Sequence, residues 1–370
     1  MKSGFSRRCM MKTMVAATLF PSLASEANDS GLPFEGSNTP KLCLEMGAGS
    51  LSAGAFSEAG MRRVKQLGVD HVLTTSGPPI PWRESGLRTL MDQLKTGGLT
   101  LGNMMISGFP KTIYGRPGRD EEIEQVIQSI KAAGRAGLPV IEYNFYAHRI
   151  VEGYYEEVGR AGAGYTAFDY DKVKDLPPLP EEGARALDEM WANITYFLKA
   201  IIPEAEQAGV RMALHPNDPP APISRGSRQI MATLAGWKKL ISIVESKSNG
   251  ITFDCGVTRE LGEDPVDVCR YFGSRDRINH VHFRNVIVKK PYEKYAEVFL
   301  DEGQVNMFAV MKELVRQKYP RLVYPEHPRG IDYDREQHDF KPRYPGGGGY
   351  TGFAYNVGYA RAMLQAALSR

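Results

Sequence analysis

Four short apolar runs in the second half of the chain each end on a side chain able to bind a metal ion. Arg211–Leu214 leads to His215, Ile251–Phe253 to Asp254 and Cys255, Ile278–Val281 to His282, and Leu322–Pro325 to Glu326. Each run has the length of a strand, and each gives way to a polar or glycine-bearing turn. Parallel strands that end in the same way place their terminal side chains along one rim. A cluster of His, carboxylate and thiolate side chains on such a rim can hold one divalent ion. A mix of imidazole and carboxylate suits Mn²⁺ or a similar ion better than Ca²⁺.

The rest of the chain supplies the rim. After a polar linker (residues 28–40), strand patterns alternate with helix patterns. Strands are expected at 41–46, 71–75, 99–106 and 139–145, then in the four runs ending at His215, Asp254–Cys255, Arg284 and Glu326. Helices are expected at 57–67, 84–95, 120–136, 181–208, 229–246, 265–272, 306–318 and from after Gly349 to the C-terminus. One Tyr- and Gly-rich excursion, 150–180, interrupts the rhythm. Eight strand–helix units imply parallel pairing through crossovers. They predict a single (β/α)₈ TIM barrel over 41–370, with its active site at the carboxyl ends of the strands. A doubly wound open sheet is the weaker reading, because no GxGxxG follows the first strand.

Residues 1–27 stand apart. Ser6-Arg7-Arg8-Cys9-Met10-Met11-Lys12 precedes the apolar run Thr13–Leu23, and small residues follow at Ser22, Ala24, Ser25 and Ala27. This order describes a signal peptide of the twin-arginine type. It predicts an exported, periplasmic protein, or a cytoplasmic one if the signal is not used. No later run reaches the ~18 apolar residues of a membrane span. The net charge of +3 comes without a basic run, which argues against nucleic acid as a partner. Cys9, Cys43, Cys255 and Cys269 have no CxxC spacing. A small molecule is the expected partner, with room for a homo-oligomer.

Several residues beside the rim could carry chemistry. Side chains alternate along a strand, so His280 and His282 share a face, with His282 nearer the carboxyl end. Asp254 and Cys255 leave a regular strand on opposite faces, so only one of them can reach the ion. His327 follows Glu326 and has the pKa class for general acid–base work. Tyr350 follows a run of four glycines that could carry a phenol over the barrel mouth. Arg284 and Arg329 could form a bidentate fork for a substrate carboxylate.

From about Gly60 onward the chain resembles the mannonate dehydratases of the xylose isomerase-like barrel superfamily. The resemblance rests on His215-Pro-Asn-Asp-Pro-Pro220, Asn249-Gly-Ile-Thr-Phe253, His282-Phe-Arg-Asn-Val286, Gly303–Phe308 with Ala309–Lys312, Pro325-Glu-His327, Gly349-Tyr350 and Tyr143-Asn144-Phe145. It implies dehydration of D-mannonate to 2-keto-3-deoxy-D-gluconate, with Mn²⁺ the usual metal. The family holds its metal with His, Cys, His and Asp. His215 and His282 match the two histidines, Asp254 stands where the family has Cys, and Glu326 stands where it has Asp. His327 and Tyr350 match the catalytic His and Tyr, and Asn144 becomes a substrate contact. The family's His-Pro-Asp-Asp motif reads His215-Pro216-Asn217-Asp218 here. An early family segment with a His before Pro and Trp reads Ser76–Trp82, without His. These departures describe a site richer in oxygen. A sugar isomerase or epimerase on the same barrel, or an exported sugar-binding protein without turnover, are the rival readings. The export signal is tested by changing Arg7 and Arg8 to Lys. The precursor should stay inside the cell, whereas the parent should begin within residues 22–30. Recovery of the parent from cytosol with Met1 intact would overturn the reading.

Overall fold

The computed structural model describes residues 34–47, 56–75 and 77–369. The expected signal peptide, the first part of the linker and Ser76 lie outside these residues. Eight parallel strands close into a barrel: β1 (Lys41–Glu45), β2 (His71–Thr74), β3 (Thr100–Ile106), β4 (Val140–Tyr143), β5 (Arg211–Leu214), β6 (Asn249–Asp254), β7 (Ile278–His282) and β8 (Leu322–Tyr324). Each strand pairs with the next, and Lys41 opposite Leu322 closes the ring. The helices outside the ring are α1 (Glu58–Gln66), α2 (Glu84–Thr96), α3 (Arg119–Ala136), α4 (Leu187–Gln207), α5 (Leu234–Ile243), α6 (Pro265–Gly273), α7 (Met307–Arg316) and α8 (Tyr350–Leu368). The alternation expected from the sequence is therefore the architecture, with boundaries shifted by a few residues.

Local chemistry sets those boundaries. Ser57 Oγ accepts the Gly60 amide at the start of α1, Thr233 does the same for Gly236 at α5, and Asn306 for Ala309 at α7. Each satisfies a backbone donor that the helix itself cannot pair. Gly137, at φ 88°, ends α3 in the left-handed conformation. Inside the barrel, Gly102 of β3 faces Leu322 of β8, and a Cβ there would lie 2.9 Å from Leu322 Cδ1. The missing side chain makes room for the leucine. Leu42, Leu44, Val72, Ile141, Met212, Ile251, Ile278 and Val323 are fully buried. At roughly 25 cal/mol per Å² of apolar area, burial of this kind is the main favourable contribution to the fold.

Two parts differ from the sequence reading. The excursion at 150–180 contains the strands Tyr154–Val158 and Gly164–Asp169, and the chain after β7 forms the hairpin Asn285–Lys290 and Lys294–Val298. Together they make one four-stranded antiparallel sheet, with Lys294–Val298 paired to Gly164–Asp169 in its middle. Those two strands lie more than a hundred residues apart, so local periodicity carries no trace of their pairing. α4 also begins at Leu187 rather than near residue 181, because residues 177–186 stay in turns and open loop. No helix among the described residues is long and apolar enough to cross a membrane.

At the amino-terminal rim, Asp276 ties three strands together. Arg211 of β5 donates to both its carboxylate oxygens (3.1 and 2.8 Å), and Arg321, just before β8, donates at 2.8 Å. Burial raises the carboxyl pKa, but these hydrogen bonds outweigh it and hold the group down to about 2. A depressed folded pKa contributes stability above the unfolded value of roughly 3.9 that is lost as pH falls toward the folded one. Asp276→Asn keeps the left-handed backbone (φ 53°) accessible, since Asn tolerates it. The variant should be less stable by about 1 kcal/mol at pH 7, a figure discounted for partial exposure. The difference should shrink between pH 4 and pH 2 in thermal unfolding. A deficit independent of pH would show that the charge is not its source.

Candidate active site

The carboxyl ends of β5, β6 and β7 bring three side chains together, and Glu326 after β8 stands beside one of them. His215 Nε2 lies 3.1 Å from His282 Nδ1, and His282 Nδ1 lies 3.1 Å from Glu326 Oε2. Asp254 Oδ2 is 3.9 Å from each imidazole. The strand pairing explains the meeting, because Asp254 is in register with His282 and His282 with Tyr324, two residues before Glu326. Asp254 also caps the short helix Cys255–Glu260, its Oδ1 accepting the Val257 amide at 2.8 Å, which leaves Oδ2 toward the imidazoles. Cys255 turns the other way into the apolar core, where burial pushes its thiol pKa well up.

The hydrogen bonds around the cluster leave one nitrogen of each imidazole facing the others. His215 Nδ1–H donates to the Pro216 carbonyl at 2.7 Å, so Nε2 carries the lone pair. His282 Nε2 faces Glu142 Oε1 at 3.4 Å, with Nδ1 toward Asp254 and Glu326. A partner on the outer nitrogen is the usual way a metal-binding imidazole is oriented. Burial lowers His215 to about 4, helped by the neighbouring His282. Burial also opposes charge on His282, but Glu326 and Glu142 outweigh it and hold that imidazole up to about 9. Ligands bound to one cation at about 2.0–2.2 Å stand roughly 3–3.5 Å apart, close to the separations here. The donor set fits a divalent ion, and His215, Asp254, His282 and Glu326 are the residues that would hold it. His280 lies deeper, fully buried, with burial lowering its pKa to about 3.

Arg284 and Arg329 do not form the expected substrate fork. Arg284 is buried and bears on five carboxylates: Asp254 at 3.1 Å, Glu260 at 2.8 Å, Glu297 and Glu326 at 3.2 Å, and Asp218 at 3.4 Å. Gly256 lets its stem pass, since a Cβ there would sit 2.8 Å from Arg284 Cγ. Arg329, also fully buried, donates to the His327 carbonyl, Thr166 Oγ1 and Glu297. Both guanidiniums are spent on groups of the protein, a commitment that residue type alone does not reveal.

Above the cluster opens a cavity of about 680 Å³, lined by His215, His282, Glu326, His327 and Asn144 among others. Asn144 therefore faces the space where a substrate would lie. Tyr350 does not: it opens α8, and its phenol donates to the Arg63 carbonyl of α1 at 3.0 Å. The glycine run before it wraps under the loop at Pro328–Arg329, where Gly348 N–H donates to the Pro328 carbonyl. Tyr146, Tyr324 and Tyr344 line the cavity, and the ring centre of Tyr344 is 4.6 Å from that of His327. Burial raises the pKa of Tyr344 and keeps the phenol protonated. Arg149, Lys341 and Arg343 are the long cationic side chains on the same wall. Asp218, of the His-Pro-Asn-Asp segment, accepts from Arg149 (3.1 Å) and from the Tyr154 phenol (2.7 Å) of the accessory sheet. Glu297 is a further residue the sequence reading missed. Its trace in the sequence is a lone acid inside the apolar strand Tyr295–Phe299.

Comparison with known proteins agrees with this geometry. Residues 184–370 match the family model for D-mannonate dehydratase (UxuA). The mannonate dehydratase of Streptococcus equi subsp. zooepidemicus is 32% identical over 281 residues, covering 68% of this chain and 75% of the relative. The crystal structure of mannonate dehydratase from Streptococcus suis serotype 2 superposes with a TM-score of 0.78 at 26% identity, covering 89% of this chain and 95% of that one. An L-ribulose 3-epimerase structure superposes at 0.56 with 13% identity over 90% of this chain and 96% of its own, a likeness of fold alone. A closed barrel, an imidazole–carboxylate cluster at its carboxyl rim and these matches lead to one conclusion: the chain is a lyase of the mannonate dehydratase family.

Proposed function

We propose that the cavity dehydrates D-mannonate to 2-keto-3-deoxy-D-gluconate and that the reaction depends on a divalent cation, Mn²⁺ first, held by His215, Asp254, His282 and Glu326. The observation that carries this reading is the cluster of His215, Asp254 and His282 ligand atoms, with Glu326 3.1 Å from His282 and His327 next to it, where His215, His282, Glu326 and His327 line one cavity. A cation held there would supply Lewis acidity toward the carboxylate and 2-hydroxyl of a 2-hydroxy acid.

The chain's own groups account for the proton movements. His327 donates its Nδ1–H to Glu297 at 2.8 Å, which leaves Nε2 as a base for the proton on C2. The electron pair of that C–H bond forms the C2–C3 double bond as the 3-hydroxyl departs. Tyr344, a protonated phenol beside His327, transfers its proton to the departing hydroxyl, which leaves as water, and the proton taken up by His327 restores the phenol. The enol then tautomerises to the 2-keto acid. Asn144 and the cations Arg149, Lys341 and Arg343 orient the polyol along the wall.

Purified protein with Mn²⁺ and D-mannonate should form keto acid, and a chelator should stop it. His327→Asn should keep its metal and lose about 10²–10⁴-fold in kcat, the usual worth of general acid–base catalysis. Tyr344→Phe should lose far more activity than Tyr350→Phe, whose phenol faces α1. Turnover of aldoses with no keto acid from any aldonate would overturn the substrate. A larger loss from Tyr350→Phe than from Tyr344→Phe would reverse the choice of phenol.

A further inference from the structure

The accessory sheet reaches into the active site through one side chain. Glu297 belongs to Lys294–Val298, an interior strand of that sheet, and its backbone is fixed on both sides, opposite Val286 and opposite Thr166. From there its carboxylate meets His327 Nδ1 at 2.8 Å, Arg329 at 2.9 Å and Arg284 at 3.2 Å. Arg329 completes a closed arrangement. It donates to Glu297 with one arm and to the His327 backbone carbonyl with Nε (3.0 Å) and NH2 (2.8 Å).

His327 needs such support. Its φ of 47° puts a non-glycine residue in the left-handed region, a conformation that persists only where the surroundings hold it. With the backbone held there by Arg329, the ring could still turn about its side-chain bonds. The hydrogen bond to Glu297 removes that freedom and selects the tautomer with the proton on Nδ1. The opposite nitrogen, Nε2, then bears the lone pair and lies 3.5 Å from Glu326 Oε2, on the side of the metal ligands. The orienting group and the proposed base are 30 residues apart in sequence.

We infer that Glu297 is the positioning residue for His327, fixing the ring and its tautomer so that Nε2 faces the substrate. The inserted sheet thereby becomes part of the reaction's machinery rather than an external addition to the barrel. This inference rests on His327 being the proton-transfer group. Glu297 itself touches neither the substrate space nor the ligand atoms; it acts through the imidazole, as the third member of a nucleophile–base–orienter chain does.

The competing explanation is that Glu297 only neutralises Arg284 and Arg329. Four variants of the full chain separate the two: Glu297→Gln, Glu260→Gln, His327→Asn and the double variant Glu297→Gln with His327→Asn. Glu260 is another buried carboxylate on Arg284, at 2.8 Å, and has no contact with His327. Glu297→Gln should lower kcat about 10²-fold with KM, metal content and melting temperature nearly unchanged. Glu260→Gln should stay within about threefold of the parent, because only charge balance is altered. The double variant should be no slower than His327→Asn alone, since residues that act as one unit are not additive. Nitrogen-15 spectra of His327 should show Nδ1–H in the parent and a tautomer mixture in Glu297→Gln. Equal losses from Glu297→Gln and Glu260→Gln, or a further loss in the double variant, would overturn the inference. A normal rate in Glu297→Gln beside an inactive His327→Asn would overturn it while leaving the dehydratase reading intact. A fully active His327→Asn would remove both.

Discussion

One guanidinium holds the mouth of this barrel together. Arg284 stands among Asp218, Asp254, Glu260, Glu297 and Glu326, all within 3.4 Å and all buried. Charges taken out of water cost several kcal/mol each unless partners offset the loss. Arg149 on Asp218 and Arg329 on Glu297 share the task, yet carboxylates remain in excess around the cluster. The effect is visible in the titrating groups. Burial pushes Glu260 well up and raises Asp254, whereas His282 and His327 hold Glu326 well below the usual range despite its burial. A centre with surplus negative charge and fixed oxygens favours a cation over any neutral guest. The acids come from separate places in the fold: Asp254 from β6, Glu260 from the short helix after it, Glu297 from the accessory sheet, and Asp218 and Glu326 from the loops after β5 and β8.

The barrel and its rim were legible because both depend on short-range pattern. Strand–helix alternation fixes a parallel closed sheet, and the residues at strand ends follow from it. His215, Asp254, His282 and Glu326 meet where parallel register puts them, and Cys255 faces the core because side chains alternate. The residues read wrongly were those whose role depends on long-range partners. Arg284 and Arg329 look like substrate-binding cations until the buried acids around them are seen. Tyr350 follows a flexible run, but that run is pinned by contacts to Pro328 and Arg329, and the helix it opens faces α1. Tyr344 and Glu297 gain their places from a loop and a sheet assembled from distant segments, which no window of sequence contains.

The division between barrel and inserted sheet also divides the proposed chemistry. The four proposed ligands come from the ends of barrel strands and the loops that follow them at once. The group that orients His327 comes from the insertion, as does the Tyr154 phenol on Asp218. Change in the insertion can therefore alter proton transfer while the ion-binding frame stays in place.

Closure leaves the barrel without an edge, but the four-stranded sheet has two outer strands. Tyr154–Val158 and Asn285–Lys290 form its edges; Gln304 covers the second through hydrogen bonds to Val286 and Val288, whereas an uncovered edge is a template on which another chain can add a strand. The acids of the first edge are occupied within the molecule, Glu156 by Arg335 at 2.7 Å and Glu157 by Lys289 at 3.1 Å. The second edge ends on Lys289 and Lys290. A strand laid along either side would meet charge that it must bury or displace. The charges that decorate the insertion thus make its outer strands poor templates for another chain.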